Sequence, residues 1–505
     1  MLSLIYSAVI NGIEANLVEV ETYISPGVPE ISIVGLADTA VKESRNRVFA
    51  AIKNSAYDFP NKRIMVNLAP ADIKKDGGYL DLPIAIGILA CVEAVRKEKL
   101  EQFCIVGELS LDGTIRKIRG ALPIVLSIKD KFQNIIVPAE NAQEAAAIDG
   151  INVFPFKTLK EVVAFLNGGT VCVPYIFKPK ANAVSEDGGD DFADIKEQFA
   201  AKRAAEISAA GGHNMLMSGP PGSGKTMIAK RIAGILPPMT FDESIETTKI
   251  WSAAGKSFAG GLMKRRPFRH PHHTISSVAL AGGGSYPKPG EVSLSHNGVL
   301  FLDEFAEFKR EALEILRQPL EDKCITISRT NKTLVFPAAF MLIAAMNPCP
   351  CGNLGNSQKE CVCTPHQIRK YRNKISGPLL DRIDIHIEVP ALKVDEIIGE
   401  NQKKESSSEI RKRVIAARNA QVQRFAGLKI YSNAQMGVKE IKRFCIVDDK
   451  GMRTLKLAID KLKLSARAYD RILRVSRTIA DLDASIDIKS VHVAEAIQYR
   501  AFDRQ

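Results

Sequence analysis

Gly219-Pro220-Pro221-Gly222-Ser223-Gly224-Lys225-Thr226 is a complete Gly-x4-Gly-Lys-Ser/Thr phosphate loop. The residues before it, His213 to Met217, are largely apolar and predict a strand, and Met227 to Ala233 have helical spacing. The motif requires that strand–loop–helix setting. Glycines at 219, 222 and 224 let the backbone curl its N–H groups inward onto phosphate oxygens. The following helix N-terminus adds a field that favours an anion. Lys225 is placed to reach the β- and γ-phosphates of ATP, and Thr226 to hold Mg²⁺.

Downstream, Val299-Leu-Phe-Leu-Asp303-Glu304 reads as a buried strand ending in two carboxylates. Asp303 suits the magnesium shell with Thr226, and Glu304 suits activation of the attacking water. The apolar run Phe340 to Met346 predicts a further strand ending in Asn347, an amide able to orient that water. Gly377-Pro-Leu-Leu-Asp-Arg382-Ile-Asp384 supplies an arginine able to face the γ-phosphate of a neighbouring subunit, the alternative being a surface ion pair. Arg467, at a helix start, is a second candidate for the nucleotide.

Around this centre the chain of 505 residues exceeds a single core. Composition is that of a water-soluble chain, 46% hydrophobic and 25% charged, with no run of 18 apolar residues and no signal-peptide pattern at its start. The expected location is cytoplasmic, with no membrane partner. Nine cysteines, an odd number, argue against a disulfide framework there. Net charge is +12, and residues 391–505 hold 24 Lys/Arg against 15 Asp/Glu. That excess suits a polyanion, nucleic acid first.

The boundaries follow from pattern. Residues 1–170 alternate strands and helices as a mixed α/β unit; 171–192 read as an exposed linker. Residues 193–392 carry the phosphate loop in an α/β core, and 393–505 read as helices, after a polar surface loop at 400–409. Cys324 to Phe336 reads as a hairpin with Arg329 to Lys332 at its tip. Lys264-Arg-Arg-Pro-Phe-Arg269-His-Pro-His-His273 is basic and without acids; it reads either as a DNA contact or as a structural loop. Cys349, Cys351, Cys361 and Cys363 form two close pairs across a short loop, open to two readings: a structural zinc site, or free or redox-paired thiols.

Several segments closely resemble the ComM/YifB family of magnesium-chelatase-like AAA+ ATPases: Gly211-Gly-His-Asn, the phosphate loop, Arg269 to Ser276, Pro289 to Gly298, Asn347 to Gly352 and Ser376 to Asp384. The likeness extends to Ile33-Val-Gly-Leu-Ala-Asp38 and Pro70-Ala-Asp72. It implies an ATP-dependent ring, a homohexamer, that moves along DNA and promotes branch migration in recombination and natural transformation, with recombination-pathway proteins as partners. It implies Glu304 as the catalytic base, Asn347 as sensor 1, Arg382 as the trans-acting finger and Arg467 as sensor 2. It also places the Arg329–Lys332 hairpin facing a pore, where Arg329 or Lys332 would meet phosphates.

Residues 1–170 resemble the Lon-protease-like (ribosomal protein S5 domain 2-like) fold. Lys75 to Pro83 sits where a Lon protease carries its nucleophile and holds no Ser, and Arg116 stands for the partner Lys. Arginine stays protonated and cannot act as a base, so proteolysis is not expected. Asp194-Ile-Lys-Glu-Gln198 departs from the Gly-Gln expected before the ATPase core. The competing reading is a chelatase- or chaperone-type motor that remodels a protein partner.

Overall fold

The computed structural model describes residues 1–75, 77–177, 191–256, 261–284, 287–329, 332–356, 359–391, 405–428, 430–462 and 464–500. The acidic part of the linker at 185–190 and the start of the polar loop at 400–404 lie outside them. Two compact units emerge: residues 1–182 with 241–263, and residues 183–240 with 264–505.

The first unit is built on a seven-stranded mixed sheet. Its strands are β1 (Leu2–Asn11), β2 (Glu14–Ser25), β3 (Glu30–Val34), β4 (Arg63–Ala69), β5 (Phe103–Ile105), β6 (Asn134–Pro138) and β7 (Asn152–Phe156). They lie in the order β3-β4-β2-β1-β5-β6-β7. β1 and β2 form a long antiparallel hairpin, with Ile5 opposite Val20. β5, β6 and β7 continue in parallel. Helices α1 (Thr39–Asn54), α2 (Asp81–Cys91), α3 (Ala121–Ile128) and α4 (Leu159–Leu166) cover it. Every residue of α2 is buried, so its continuous apolar run reflects a helix covered all round.

At the start of α2, where the sequence lacks a nucleophilic Ser, the structure has a closed ionic knot. Asp81 accepts hydrogen bonds from Ser44, from Arg47 at 2.7 and 3.0 Å and from the Leu109 N–H at 3.2 Å. Lys75 is buried with its ammonium on the Leu68 carbonyl at 2.9 Å and on that of Pro70. Arg116 is exposed and bonded to Ser110. Each group is satisfied structurally.

The second unit centres on a five-stranded parallel sheet. Helix α5 (Phe199–Gly211) leads into β8 (Met215–Ser218), and α6 (Lys225–Ile235) follows the phosphate loop. The remaining strands are β9 (Phe268–Arg269), β10 (Val299–Leu302), β13 (Met341–Met346) and β14 (Ile385–Glu388), separated by an antiparallel hairpin of β11 (Cys324–Arg329) and β12 (Lys332–Pro337). The sheet order is β9-β10-β13-β8-β14, so the connections leaving the adjacent strands β8 and β13 run to opposite sides of the sheet. In parallel sheets, ligands bind beyond the carboxyl ends of the strands at such a switch point. The side chains of Arg329 and Lys332, and residues 330 and 331 at the hairpin tip, lie outside the described residues.

One segment departs from the sequence-based blocks. The sequence reads 193–392 as one block, yet α7 (Phe241–Ala253) and the residues after it up to 263 pack with the first unit. Ser252 accepts from the Gly120 N–H at 3.2 Å, Lys249 lies 3.7 Å from Glu14, and Ile245 packs on the cluster of Leu122 and Val125. The sequence reads 393–505 as a helical lid. Its helices α9 (Ser407–Arg424), α10 (Val438–Phe444), α11 (Asp449–Leu462), α12 (Ala466–Leu482) and α13 (Ser490–Gln498) share one apolar core with the sheet. Val414, Leu455, Ile479 and Val493 belong to the same cluster as Met215 and Ile385.

Buried polar groups knit helices to sheet. His213 bonds Thr478 of α12 at 2.7 Å, and Arg471 lies 3.4 Å from Asp384. His386 on β14 is buried; burial first, then Arg500 and Arg471, push its imidazole down to about 3. A free histidine titrates near 6.5, so below that pH the unfolded chain takes up a proton that the folded chain refuses. Stability therefore falls as pH drops from about 6.5 toward 3, by up to about 1.4 kcal/mol per pH unit from this one group. Denaturant unfolding at pH 7 and pH 5 reads this loss; it shrinks in His386→Gln, and equal slopes in both proteins would refute the assignment.

Candidate functional site

The loop between β8 and α6 takes its form from Gly222 and Gly224, at φ +79° and +89°, conformations that a side chain resists. Lys225 begins α6 and is largely buried, its ammonium 2.7 and 2.8 Å from the Gly219 and Pro220 carbonyls. It is thereby held across the mouth of the loop. Burial pulls its proton affinity down, and Asp303 opposes this.

Register places the other groups. Leu302 pairs with Ala344, and Ser218 with Met346, so Asp303 and Glu304 emerge level with the end of β13. Asn347 then follows β13 opposite Gly219, whose N–H donates to Met346 at 3.2 Å. Thr226 donates to Asp303 Oδ2 at 2.6 Å, and Asp303 Oδ1 accepts the Glu304 N–H at 2.9 Å. Glu304 sits in the left-handed region at φ 51°, a position where a non-glycine residue marks local strain. Its carboxylate is exposed and lies 2.8 Å from His273 Nδ1. A hydroxyl, two carboxylates, a lysine and an inward-curled loop fit a magnesium-bound polyphosphate.

Other predicted residues gather elsewhere. Arg382 binds the Pro378 carbonyl at 2.7 Å and pairs with Glu321 on α8 (Arg317–Asp322). Exposed Arg467, in the first turn of α12, also acts on Glu321, whose carboxyl is held below its usual value chiefly by Arg382. The two arginines thus share one acidic neighbour. In the basic segment, Arg269 forms a bidentate pair with Glu291 at 2.5 and 2.7 Å, and Arg266 binds the Pro237 and Asn297 carbonyls. Both hold the fold, which leaves Lys264, Arg265 and His272 exposed.

Gln198 clarifies the departure before the core. Glu197 and Gln198 both adopt φ 48°, which explains an expectation of Gly there, and Gln198 donates to the Pro390 carbonyl at 2.8 Å and to Ser223 at 3.4 Å. It braces the phosphate loop. Its isolated polar identity gave no such signal.

The four cysteines converge. Cys349 Sγ is 3.4 Å from Cys351 Sγ and 3.6 Å from Cys361 Sγ, and with Cys363 all four lie within 4.8 Å of one another. A disulfide requires about 2.05 Å. Four thiolates about 2.3 Å from one tetrahedral ion stand about 3.8 Å apart, so the group can hold a metal. Gly352, at φ +80°, lies against the phosphate loop: a Cβ there would meet Pro221 at 2.7 Å and Asn347 at 3.9 Å.

Family models for magnesium chelatase subunit ChlI match residues 191–397 and 20–141, and one for its C-terminal region matches 404–500. Competence protein ComM of Haemophilus influenzae is 45% identical over 505 residues, covering 100% of this chain and 98% of that protein. The chain belongs to the ComM/YifB family of magnesium-chelatase-like proteins. YifB of Escherichia coli, another member, is 43% identical over 504 residues and 98% of its length. Lon protease 2 of Bacillus subtilis is 31% identical over 114 residues, 22% of this chain and 19% of that protein. Among the described residues, no helix of this ComM/YifB member is long and apolar enough to cross a membrane.

Proposed function

We propose that this protein is an ATP-driven motor that moves DNA strands, acting as a homohexameric ring in branch migration during recombination and DNA uptake. The observation that carries the ATPase half is the contiguity of Lys225, Thr226, Asp303 and Glu304 at the switch point of a parallel sheet. The DNA half is supported by full-length likeness to a competence protein and by the net charge of +12.

Gly219 to Thr226 bind ATP, with Lys225 leaving its two carbonyls for phosphate oxygens. Thr226 and Asp303 hold Mg²⁺, which neutralises charge on the phosphates. Glu304 accepts the proton of the attacking water, and Asn347 orients that water. Arg382 leaves Glu321 to meet the γ-phosphate bound by a neighbouring subunit, and Arg467 joins it from α12. Arg329 and Lys332, on the β11–β12 hairpin, contact DNA phosphates.

Turnover measured against DNA tests this reading. Single-stranded or branched DNA raises the ATPase rate, and the stimulation declines with added salt as counterion release requires. A protein that hydrolyses ATP but neither binds DNA nor responds to it fails the DNA half. The matched chelatase models would then favour a motor that remodels a protein partner.

The four cysteines bind one structural Zn²⁺ that braces the loop after Asn347 against Pro221. Backbone hydrogen bonds from Asn353 and Val362 pull the Cys351 thiol down to about 6, whereas burial and the crowding of neighbouring sulfurs push Cys361 and Cys363 up, a crowding that a bound dication would relieve. Purified protein should contain one zinc per chain by elemental analysis. Cys361→Ser should lose it, weakening ATP binding while the first unit stays folded. Metal-free protein with unchanged ATP affinity would refute the site.

A further inference from the structure

Gly211-Gly-His-Asn214 stands out in the sequence, and the phosphate site gives its last residue no role. Asn214 lies directly before β8 and is almost fully buried. Its side chain serves both neighbouring strands. Oδ1 accepts the Leu342 N–H of β13 at 2.8 Å, and Nδ2 donates to the Arg382 carbonyl at 3.0 Å. Its backbone holds the same stretch. The Asn214 N–H donates to Asp384 Oδ2 at 3.2 Å, and its carbonyl accepts the Asp384 and Ile385 N–H groups at 3.1 and 3.0 Å. An amide offers an acceptor and a donor from one planar head; an aspartate of the same shape offers only acceptors when ionised.

The residues around Arg382 are held as firmly. Its own N–H donates to the Leu379 carbonyl at 3.0 Å, and Arg500 donates to the Ile383 carbonyl at 2.8 Å. The Asp384 carboxylate lies 3.4 Å from Arg471 Nε and 3.5 Å from His213 Nδ1. The backbone of 382–384 is thus fixed to the start of β8, while the Arg382 head reaches away to the Pro378 carbonyl and Glu321. Arg382 Nε is buried without a hydrogen-bond partner among the described residues, so the head is not fully satisfied where it rests. Taking it off Glu321 needs only side-chain torsions, about a pivot that Asn214 sets.

We propose that Asn214 is a positioning residue for Arg382: by holding the carbonyl of residue 382, it fixes the point from which the guanidinium reaches a phosphate bound by a neighbouring subunit. This rests on the proposed role of Arg382. Misplacing a group by about 1 Å costs about 10²-fold in rate. Asn214 stands at the opposite end of β8 from the phosphate loop. Met215 to Ser218 between them keep their own pairing with β13 and β14. Loss of the Nδ2 donor is therefore felt at Arg382 rather than at the loop.

The test uses two full-length variants. Asn214→Asp keeps the shape and the acceptor and loses the donor; Asn214→Ala loses the donor without burying a charge. Each should lower kcat for ATP by about 10- to 10²-fold, with KM and nucleotide affinity near wild type. Each is then mixed with Glu304→Gln. In a mixed ring, an intact Glu304 on the Asn214 variant meets a correctly held Arg382 on the Glu304→Gln subunit, so turnover should recover. Mixing either variant with Arg382→Ala supplies no well-held arginine, and turnover should stay low.

Arg382→Ala mixed with Glu304→Gln is the control. Recovery there, but not with the Asn214 variants, would overturn the positioning and make Asn214 a support of its own subunit's phosphate loop. Unchanged turnover in both variants would overturn it too, as would loss of folding or of ATP binding in both. A control that does not recover would overturn the proposed role of Arg382 itself, and the inference with it.

Discussion

Glu304→Gln abolishes ATP turnover while nucleotide binding persists. The amide has the shape of the carboxylate but cannot accept the proton of the attacking water. Loss of a general base costs about 10²- to 10⁴-fold in rate. The backbone at 304 is already set in the left-handed region and its N–H is bonded to Asp303, so the change is confined to the side-chain head. Lys225 and Thr226, assigned to the phosphates and magnesium in the proposed function, lie on α6 and are untouched. Fluorescent-nucleotide titration should give a dissociation constant close to wild type, beside a turnover near background. Equal loss of binding and turnover would mean that Glu304 holds the loop's structure.

Arg382→Ala should cost at least about 10³-fold in turnover, the range expected of an arginine supplied across an interface to the transferring phosphoryl group. The fold should survive. The pair lost, Arg382 with Glu321, has a well-exposed acid, and such pairs contribute about 0–1 kcal/mol. The decisive form of the experiment is mixing. If the protein assembles as the proposed ring, Arg382→Ala alone and Glu304→Gln alone should each be inactive. Mixed rings contain interfaces that join an intact Glu304 on one subunit to an intact Arg382 on the next, and they recover activity. A mixture as inactive as its parts would place Arg382 in its own subunit's structure.

Much of this site was legible in the sequence because local pattern and chemistry coincide there. The glycines of 219–224 signal a curled loop, and four apolar residues before Asp303 signal a buried strand whose end must be polar. Helices α9 to α13 showed their period in the same way. Partnerships were less legible. Nothing in 241–253 signals that this helix packs beside α3, because its buried face carries Ser244, Thr247, Thr248 and Ser252 rather than an apolar stripe. Arg266 and Arg269 read as two more cations in a basic run, and only tertiary structure supplies Glu291 and two carbonyls to occupy them. His273 and Glu304 are 31 positions apart, and their meeting depends on the β9–β10 register. Gly352 gave no sign of its approach to Pro221, which follows from the convergence of four sulfurs on either side of a loop.

The central claim is that ATP hydrolysis at Glu304 moves DNA strands. The most direct measurement is conversion of labelled three-strand and four-way DNA junctions by wild type and by Glu304→Gln, with and without ATP. The account predicts that wild type resolves junctions only with ATP, and that Glu304→Gln binds them without resolving them. Junctions left unresolved by a wild type that hydrolyses ATP would contradict it.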